Sequence, residues 1–151
     1  MGLKKANQIA PGDAGFSPAR FALRFGPARL SFALARTMSL HVQLAQRFGG
    51  LIAREEYESA HKLLTKQAQS VHTVQEMGSR SEGMRRYAPG PFRSFLVMEE
   101  FMLEDWPAKQ DGDVASIYIS LEGDNCCEAV SVIVAQEDGD LRIRDLEWGR
   151  P

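Results

Sequence analysis

One histidine and two strand acids are the residues whose types and placement could do acid–base chemistry in this chain of 151 residues. The segment "REEYESAHKLLTK" places His61 on the same helical stripe as Tyr57. A histidine oriented by a carboxylate can act as a general base. His61, Glu99 and Asp145 are therefore the catalytic candidates if the protein is an enzyme. The alternative is a core or rim histidine that is hydrogen-bonded to tyrosine or backbone.

Glu99 and Glu100 interrupt an otherwise apolar strand, and the alternation of a strand places them on opposite faces. At least one of them should then meet a buried or interfacial surface, where an ionised carboxylate needs a partner. Two interpretations remain open. One is an acid in a pocket, and the other is an ion pair with an arginine such as Arg93, Arg142 or Arg144.

Aromatic residues supply the candidates for lining a pocket. Trp106 and Trp148 each follow an acid at the end of a predicted strand, where such residues close a pocket mouth or anchor an interface. Core packing accounts for them equally well. The residues predicted to line a ligand site are Tyr57, His61, Trp106, Tyr118 and Trp148.

Metal and cofactor signatures are absent from the sequence. It has no pair of histidines at i, i+4 spacing, no spaced cysteine pair, no glycine-rich phosphate loop and no G-x-S-x-G elbow. We therefore predict no metal and no cofactor. The two cysteines, Cys126 and Cys127, are adjacent, so a disulfide between them would be strained. Reduced thiols are typical of a cytosolic protein, and we expect a cytoplasmic location.

Composition excludes several classes of protein. Hydrophobic residues make up 44% of the chain and charged residues 25%, which is typical of a globular domain. The formal net charge of −2 argues against a nucleic-acid partner, because binding phosphates requires a basic excess. No apolar run approaches the roughly 18–20 residues needed to span a bilayer.

Residues 1–37 differ in character from the rest. They contain six basic residues and one acid, so with a total charge of −2 the remaining residues 38–151 carry −7. This extension also holds four of the eight phenylalanines, and three prolines prevent one long helix. It has three interpretations: an organelle transit peptide, a basic amphipathic arm, or upstream sequence read in frame before a true start at Met38. We favour the third, and we expect the extension to be poorly ordered or not translated.

Regular patterning begins at Ser39, with helices first. Leu40, Leu44, Phe48, Leu51 and Ile52 fall on one helical face, and the glycines at 49 and 50 are placed to permit close approach of another element. The second predicted helix covers residues 54–66. A third opens with "TVQE" at residue 73, which is typical of a capping box, and ends at "YAPGP".

The hydrophobic period then changes from 3.6 to two. Strands are predicted over residues 93–104, 113–121, 128–136 and 141–148, separated by turn sequences such as "EGDN" and "EDGD". In the first strand the alternation predicts Phe95, Val97, Phe101 and Leu103 on one face. In the last strand the inward positions change parity, which predicts a bulge near residues 144 and 145. The pattern indicates an α+β domain in which helices pack on one face of a curved, mainly antiparallel sheet of four or more strands.

This order of elements, with "YESAHKLLT" on the second helix, "EDW" after the first strand and "EAVSVIVAQEDGDLRIRDLEW" at the end, resembles the nuclear transport factor 2-like superfamily of cystatin-like folds, in its small bacterial members. The resemblance covers residues 38–148 and includes no catalytic signature. It implies a cone-shaped domain over residues 38–151, with a cavity at the open end and dimers formed through the sheet.

The resemblance does not determine the function, because the superfamily contains both enzymes and binding proteins. Our first hypothesis is a domain that binds a small apolar ligand or a protein partner and has no identifiable catalytic set. The alternative is a small lyase, isomerase or hydrolase that acts on a hydrophobic substrate in the cavity by general acid–base catalysis. A homodimer through the sheet is expected in either case.

Overall fold

The computed structural model describes residues 38–87 and 90–149, so the predictions for residues 1–37 lie outside the described residues. The described chain forms four α-helices, one short 3-10 helix and a four-stranded antiparallel sheet. This confirms the predicted α+β class, with helices first and strands second. None of the described helices has the length and apolar character needed to cross a membrane. The elements are α1 (Leu40–Ala53), α2 (Tyr57–His61), α3 (Lys66–Val71), α4 (Val74–Met84), the 3-10 helix (Arg85–Tyr87), β1 (Phe92–Leu103), β2 (Asp113–Gly123), β3 (Cys127–Glu137) and β4 (Asp140–Trp148).

Helix α1 packs across the first two strands. Its buried side includes Phe48 and Ile52, as predicted, whereas Leu40 is 70% exposed at the start of the helix. A Cβ atom at Gly49 would lie only 2.9 Å from Ile119 Cγ2 on β2. The absence of a side chain at this position therefore permits the close approach of helix and sheet that the sequence predicted.

The second predicted helix is wrong in length. Instead of a helix over residues 54–66, α2 spans five residues and ends at His61. The chain then runs beside β4, where Thr65 N–H donates to Ile143 O at 2.8 Å and Ile143 N–H donates to Leu63 O at 3.0 Å. These bonds cover the edge of β4 and use the backbone groups that a continuous helix would need.

Two threonines then begin the next helices. Thr65 Oγ1 accepts from Ala68 N–H at the start of α3, and Thr73 Oγ1 accepts from Glu76 N–H at the start of α4. The second bond is the predicted cap. In a capping box the Glu76 carboxylate would also accept from the Thr73 N–H. Here that carboxylate lies 3.5 Å from the Arg80 guanidinium instead.

The sheet is a meander in the order β1-β2-β3-β4. Its turns follow the sequence signals, and Asp138 and Gly139 both have positive φ between β3 and β4, as a two-residue type I′ turn requires. The helix-facing positions form one hydrophobic core with α1. The fully buried strand residues of this core are Ala115, Ile117, Ile119, Leu121, Val130, Val132, Val134 and Ile143.

The predicted faces of β1 are wrong in its second half. Met98 pairs with Tyr118 and Leu103 pairs with Ser116. The chain therefore advances five positions along β1 while it advances two along β2. This irregularity changes the parity of the strand. As a result Phe101 and Leu103 point away from the core, whereas Met102 packs against it.

The bulge predicted in β4 is confirmed. Ile133 pairs with Asp145 and Val134 pairs with Ile143, which leaves Arg144 as the extra residue. The parity change keeps both Ile143 and Leu146 in the core. It also places Arg144 and Asp145, although consecutive, along the same groove.

Candidate functional site

The surface of the sheet that faces away from the helices carries an apolar patch, which we call the outer face. It consists of Leu96, Met98, Phe101 and Leu103 on β1 together with Tyr118 on β2. Phe101 is 58%, Leu96 53% and Leu103 50% exposed. The Phe101 and Tyr118 rings form an edge-to-face pair with centroids 6.2 Å apart. A depression of about 490 Å³ on this face is lined by both rings together with Met98 and Leu103.

Serines form the floor of this depression. Ser116 and Ser131 line it beside the larger apolar residues, and Ser120 continues the same row on β2. Glu99 and Glu100 follow Met98 in the irregular part of β1, and both are exposed. Neither of them meets a buried surface of this chain, because the parity change lets both reach solvent, and the alternative of an interfacial surface stays a prediction.

Glu99 and Glu100 line a separate cleft of about 660 Å³ with His41 and Glu104. Ser39 Oγ lies 2.9 Å from His41 Nε2 in this region. Among the described residues, no group of three or more histidine, cysteine, aspartate or glutamate side chains is arranged to hold a metal ion.

The largest of these clefts, of about 830 Å³, lies between the start of α2 and α4 and is lined by Glu55, Tyr57 and Arg85, among others. Arg85 Nη1 donates to Glu55 Oε1 at 2.7 Å, and its guanidinium lies 5.6 Å from the centre of the Phe92 ring. The Tyr57 ring packs on Gly78, and its buried hydroxyl has no hydrogen-bond partner within the described ranges. Tyr57 thus lines a cleft, as predicted, but not together with the other candidates.

His61 lies at the corner between α2 and α3. Its Nε2 is 3.1 Å from Gln69 O, and Gln69 Nε2 donates back to the carbonyls of His61 and Leu64. These bonds tie the two short helices together, which is a structural role. His61 is not among the lining residues of the clefts described above, and its assignment as a base stays a prediction.

Asp145 lies near a histidine that the sequence analysis did not select. His72 Nε2 is 3.1 Å from Asp145 Oδ1, in a groove of about 250 Å³ that we call the α3–β4 groove. The groove is lined by Gln67, Ala68, Val71, His72, Gln110, Arg144 and Asp145. The predicted bulge was the available signal on the strand side. No spacing rule connects a histidine to an aspartate 73 residues later in the chain.

The two tryptophans occupy separate positions. Trp106 is half-buried in the loop between β1 and β2, where Lys109 Nζ lies 5.6 Å from its ring centre. Trp148 is half-buried at the end of β4 and packs against the core. The predicted lining residues are therefore distributed over the outer face, the largest cleft, a loop and the core edge, and do not form one cavity.

Comparison with known proteins identifies no relative. No protein-family model, curated protein or solved structure matches this chain.

Proposed function

We propose that the domain is a protein-interaction module that binds a second copy of itself through the outer face. The observation that carries this proposal is the exposure of Leu96, Phe101 and Leu103 side by side on one sheet surface. Contiguous exposed apolar side chains of this size are typical of an interaction site. Scattered single residues would need no such explanation.

The relief of the outer face favours a second copy as the occupant. Phe101 and Leu103 on β1 form a ridge beside the depression, and Ser116 and Ser131 on β2 and β3 leave space there for side chains of the other copy. A two-fold axis that lies between the two sheets, parallel to the strands, would place the ridge of each copy in the depression of the other. Such an isologous contact is closed and self-complementary, as the commonest homodimers are.

The expected affinity is modest. Burying a fully exposed leucine or phenylalanine contributes about 1.5–3 kcal/mol. Leu96, Phe101 and Leu103 on the outer face are already about half covered, so each contributes about half of that. Two copies of the patch must offset an association penalty of at least about 4 kcal/mol. These terms leave at most about 5 kcal/mol, which corresponds to a dissociation constant of about 0.2 mM or weaker.

The test is sedimentation equilibrium of the full chain at protein concentrations up to about 1 mM, above a dissociation constant of about 0.2 mM. Wild type should sediment as a dimer, and Phe101→Ser should sediment as a monomer with an unchanged circular dichroism spectrum. Leu40→Ser is the matched control, because Leu40 is exposed to 70% but lies on α1. It should remain dimeric.

Three outcomes overturn the proposal. A monomeric wild type would exclude self-association in this range, and a Phe101→Ser dimer would place the contact elsewhere. Loss of the dimer in Leu40→Ser alone would assign the interface to α1. Leu103→Ser provides a second variant on the ridge if Phe101→Ser does not fold.

We infer that the resemblance to the nuclear transport factor 2-like superfamily reflects a relationship. It is supported by the order of a long first helix, short helices and meander, and by the exposed patch on the sheet, the element through which many members of that superfamily dimerise. A cone with a ligand cavity belongs to the same proposal, in which the cleft beside Tyr57 would hold a small ligand with polar groups for Glu55 and Arg85.

A further inference from the structure

The α3–β4 groove brings together polar side chains from distant parts of the chain. His72 comes from the end of α3, where its backbone N–H donates to Ala68 O at 2.8 Å. Asp145 and Arg144 come from the bulge in β4, and Gln110 comes from the loop before β2. The His72 side chain is 13% exposed, so the ring is largely enclosed but still borders the groove.

The hydrogen bonds of Asp145 assign the tautomer of His72. Asp145 Oδ1 accepts from Leu146 N–H at 2.9 Å and faces His72 Nε2 at 3.1 Å. An ionised carboxylate only accepts, so Nε2 must carry the proton of the neutral ring. The Nδ1 lone pair is then available, and within the described chain it makes no hydrogen bond to a protein group.

Arg144 supplies a donor to the same groove. Its Nε and Nη2 groups donate to the two oxygens of Asp113 at 2.6 Å and 2.9 Å. Gln110 N–H donates to Asp113 as well, at 2.8 Å, which fixes the carboxylate. This bidentate pair orients the guanidinium and leaves the Nη1 hydrogens outside the ion pair.

We propose that the α3–β4 groove is a hydrolytic site for small uncharged carboxylic esters, in which His72 is the general base, Asp145 positions it and Arg144 binds the carbonyl oxygen. The groove, at about 250 Å³, admits only a small molecule. Its charged groups are paired with one another, which favours an uncharged substrate. Val71, which is 60% exposed, offers an apolar surface for an acyl or alkyl group.

The reaction balances with water as the only co-reactant. His72 Nδ1 takes a proton from water while the water oxygen bonds to the ester carbonyl carbon, and the carbonyl electron pair moves to the oxygen near Arg144 Nη1. The tetrahedral intermediate collapses, the carbon–oxygen bond to the leaving group breaks, and the leaving alkoxide takes the proton from the imidazolium. Ester and water become acid and alcohol, and Asp145 stabilises the transient positive charge on His72.

The test uses the full chain with 4-nitrophenyl acetate and follows release of 4-nitrophenolate. Wild type should hydrolyse the ester faster than an equal concentration of free imidazole. The rate of His72→Gln should be lower than that of wild type by at least about tenfold, since a positioned general base typically contributes about 10²–10⁴-fold. His41→Gln is the matched control, because His41 lies outside the groove beside Ser39. It should keep the wild-type rate.

Asp145→Asn tests the positioning role with a readout that a purely structural role would not change. Wild type should show protonated Nε2 and unprotonated Nδ1 at His72 in ¹⁵N spectra of the imidazole, and Asp145→Asn should lose this preference. Its kcat should fall by about tenfold or more while KM stays within about twofold, because the residue acts through His72.

Several outcomes overturn the proposal. A wild-type rate no higher than that of free imidazole would do so, and so would an unchanged rate in a folded His72→Gln. The wild-type ¹⁵N spectrum is decisive even if variants fail to fold, because a proton on Nδ1 would leave that atom no lone pair with which to take a proton from water. Self-association through the outer face involves other residues, so failure of one proposal leaves the other standing.

Discussion

At the scale of the residue, Glu55 holds a conformation that glycine usually occupies. It follows α1 with φ of 61°, and its N–H and that of Glu56 close the end of the helix onto Ile52 O and Leu51 O. This is the Schellman arrangement, in which the left-handed residue is most often glycine. The Glu55 side chain compensates for part of the strain through its ion pair with Arg85 in the largest cleft.

Replacing Glu55 by alanine and by glycine separates the backbone strain from the ion pair, since both changes remove the carboxylate. We expect Glu55→Gly to be more stable than Glu55→Ala by about 1 kcal/mol in urea unfolding, because only glycine adopts positive φ without strain. The control is Glu58, which is exposed within α2. There the order should reverse, with alanine the more stable. If the alanine variant at Glu55 were as stable as the glycine variant, the positive φ at this position would cause no backbone strain, and the prediction would be wrong.

At the scale of the element, the contact between α1 and the sheet depends on a glycine in the middle of a helix. A Cβ at Gly49 would lie 2.9 Å from both Ile119 Cγ2 and Phe95 Cδ2. Glycine weakens the helix itself, so its presence here is explained by packing rather than by helix propensity. Gly83 near the end of α4 has open space around the same position.

Alanine substitutions at these two glycines should therefore have opposite effects. Gly49→Ala should lower the free energy of unfolding by about 1–2 kcal/mol, because overpacking outweighs the gain in helix propensity. Gly83→Ala meets no atom within 4 Å and should raise it by about 0.5 kcal/mol. Chemical denaturation of both variants measures this difference. Equal effects at the two sites would show that the sheet yields to the added methyl group.

At the scale of the whole molecule, the ion pair between Asp113 and Arg144 joins the start of β2 to the bulge of β4 with the Asp113 side chain fully buried. Burial disfavours the charge of Asp113. The hydrogen bonds from Arg144 and Gln110 N–H, with the charges of Arg144 and Lys109, outweigh it, so the pKa of Asp113 lies below its ordinary value. A carboxyl group with a lowered pKa stabilises the fold above its unfolded pKa of about 4, and this contribution is lost as pH falls through the folded pKa.

Asp113→Asn should therefore lower stability at pH 7, by about 2 kcal/mol, since Arg144 loses a nearly buried partner. The difference from wild type should narrow below about pH 4, because the carboxyl group of the unfolded chain then takes up a proton, and it should go on narrowing until the pH reaches the lower folded pKa. Urea unfolding from pH 7 to pH 2 measures both effects. Asp140→Asn is the control, because Asp140 is exposed and lies 3.6 Å from Arg142, and it should change stability little at any pH. If the free energies of unfolding of Asp113→Asn and wild type differed by the same amount from pH 7 to pH 2, the stability would not depend on the charge of Asp113, which would contradict this prediction.

Local periodicity predicted much of the fold. The four strands, the start of α4 at Thr73 and the bulge at Arg144 were all readable, because alternation, capping residues and a parity change are signals within a few neighbouring residues. The irregularity in β1 was not readable. Glu99 and Glu100 fit a regular strand in sequence, and the register that displaces them is set by pairing with β2.

The sequence by itself determined the class of the domain, the order of its elements and the position of most turns, since these depend on local propensity and hydrophobic period. Only the tertiary structure decided which polar groups meet. His61 was the stronger candidate on its own helix, yet His72 is the histidine that lies against Asp145, across 73 residues of chain. Such a contact depends on how α3 passes the edge of β4, and no local pattern encodes that path.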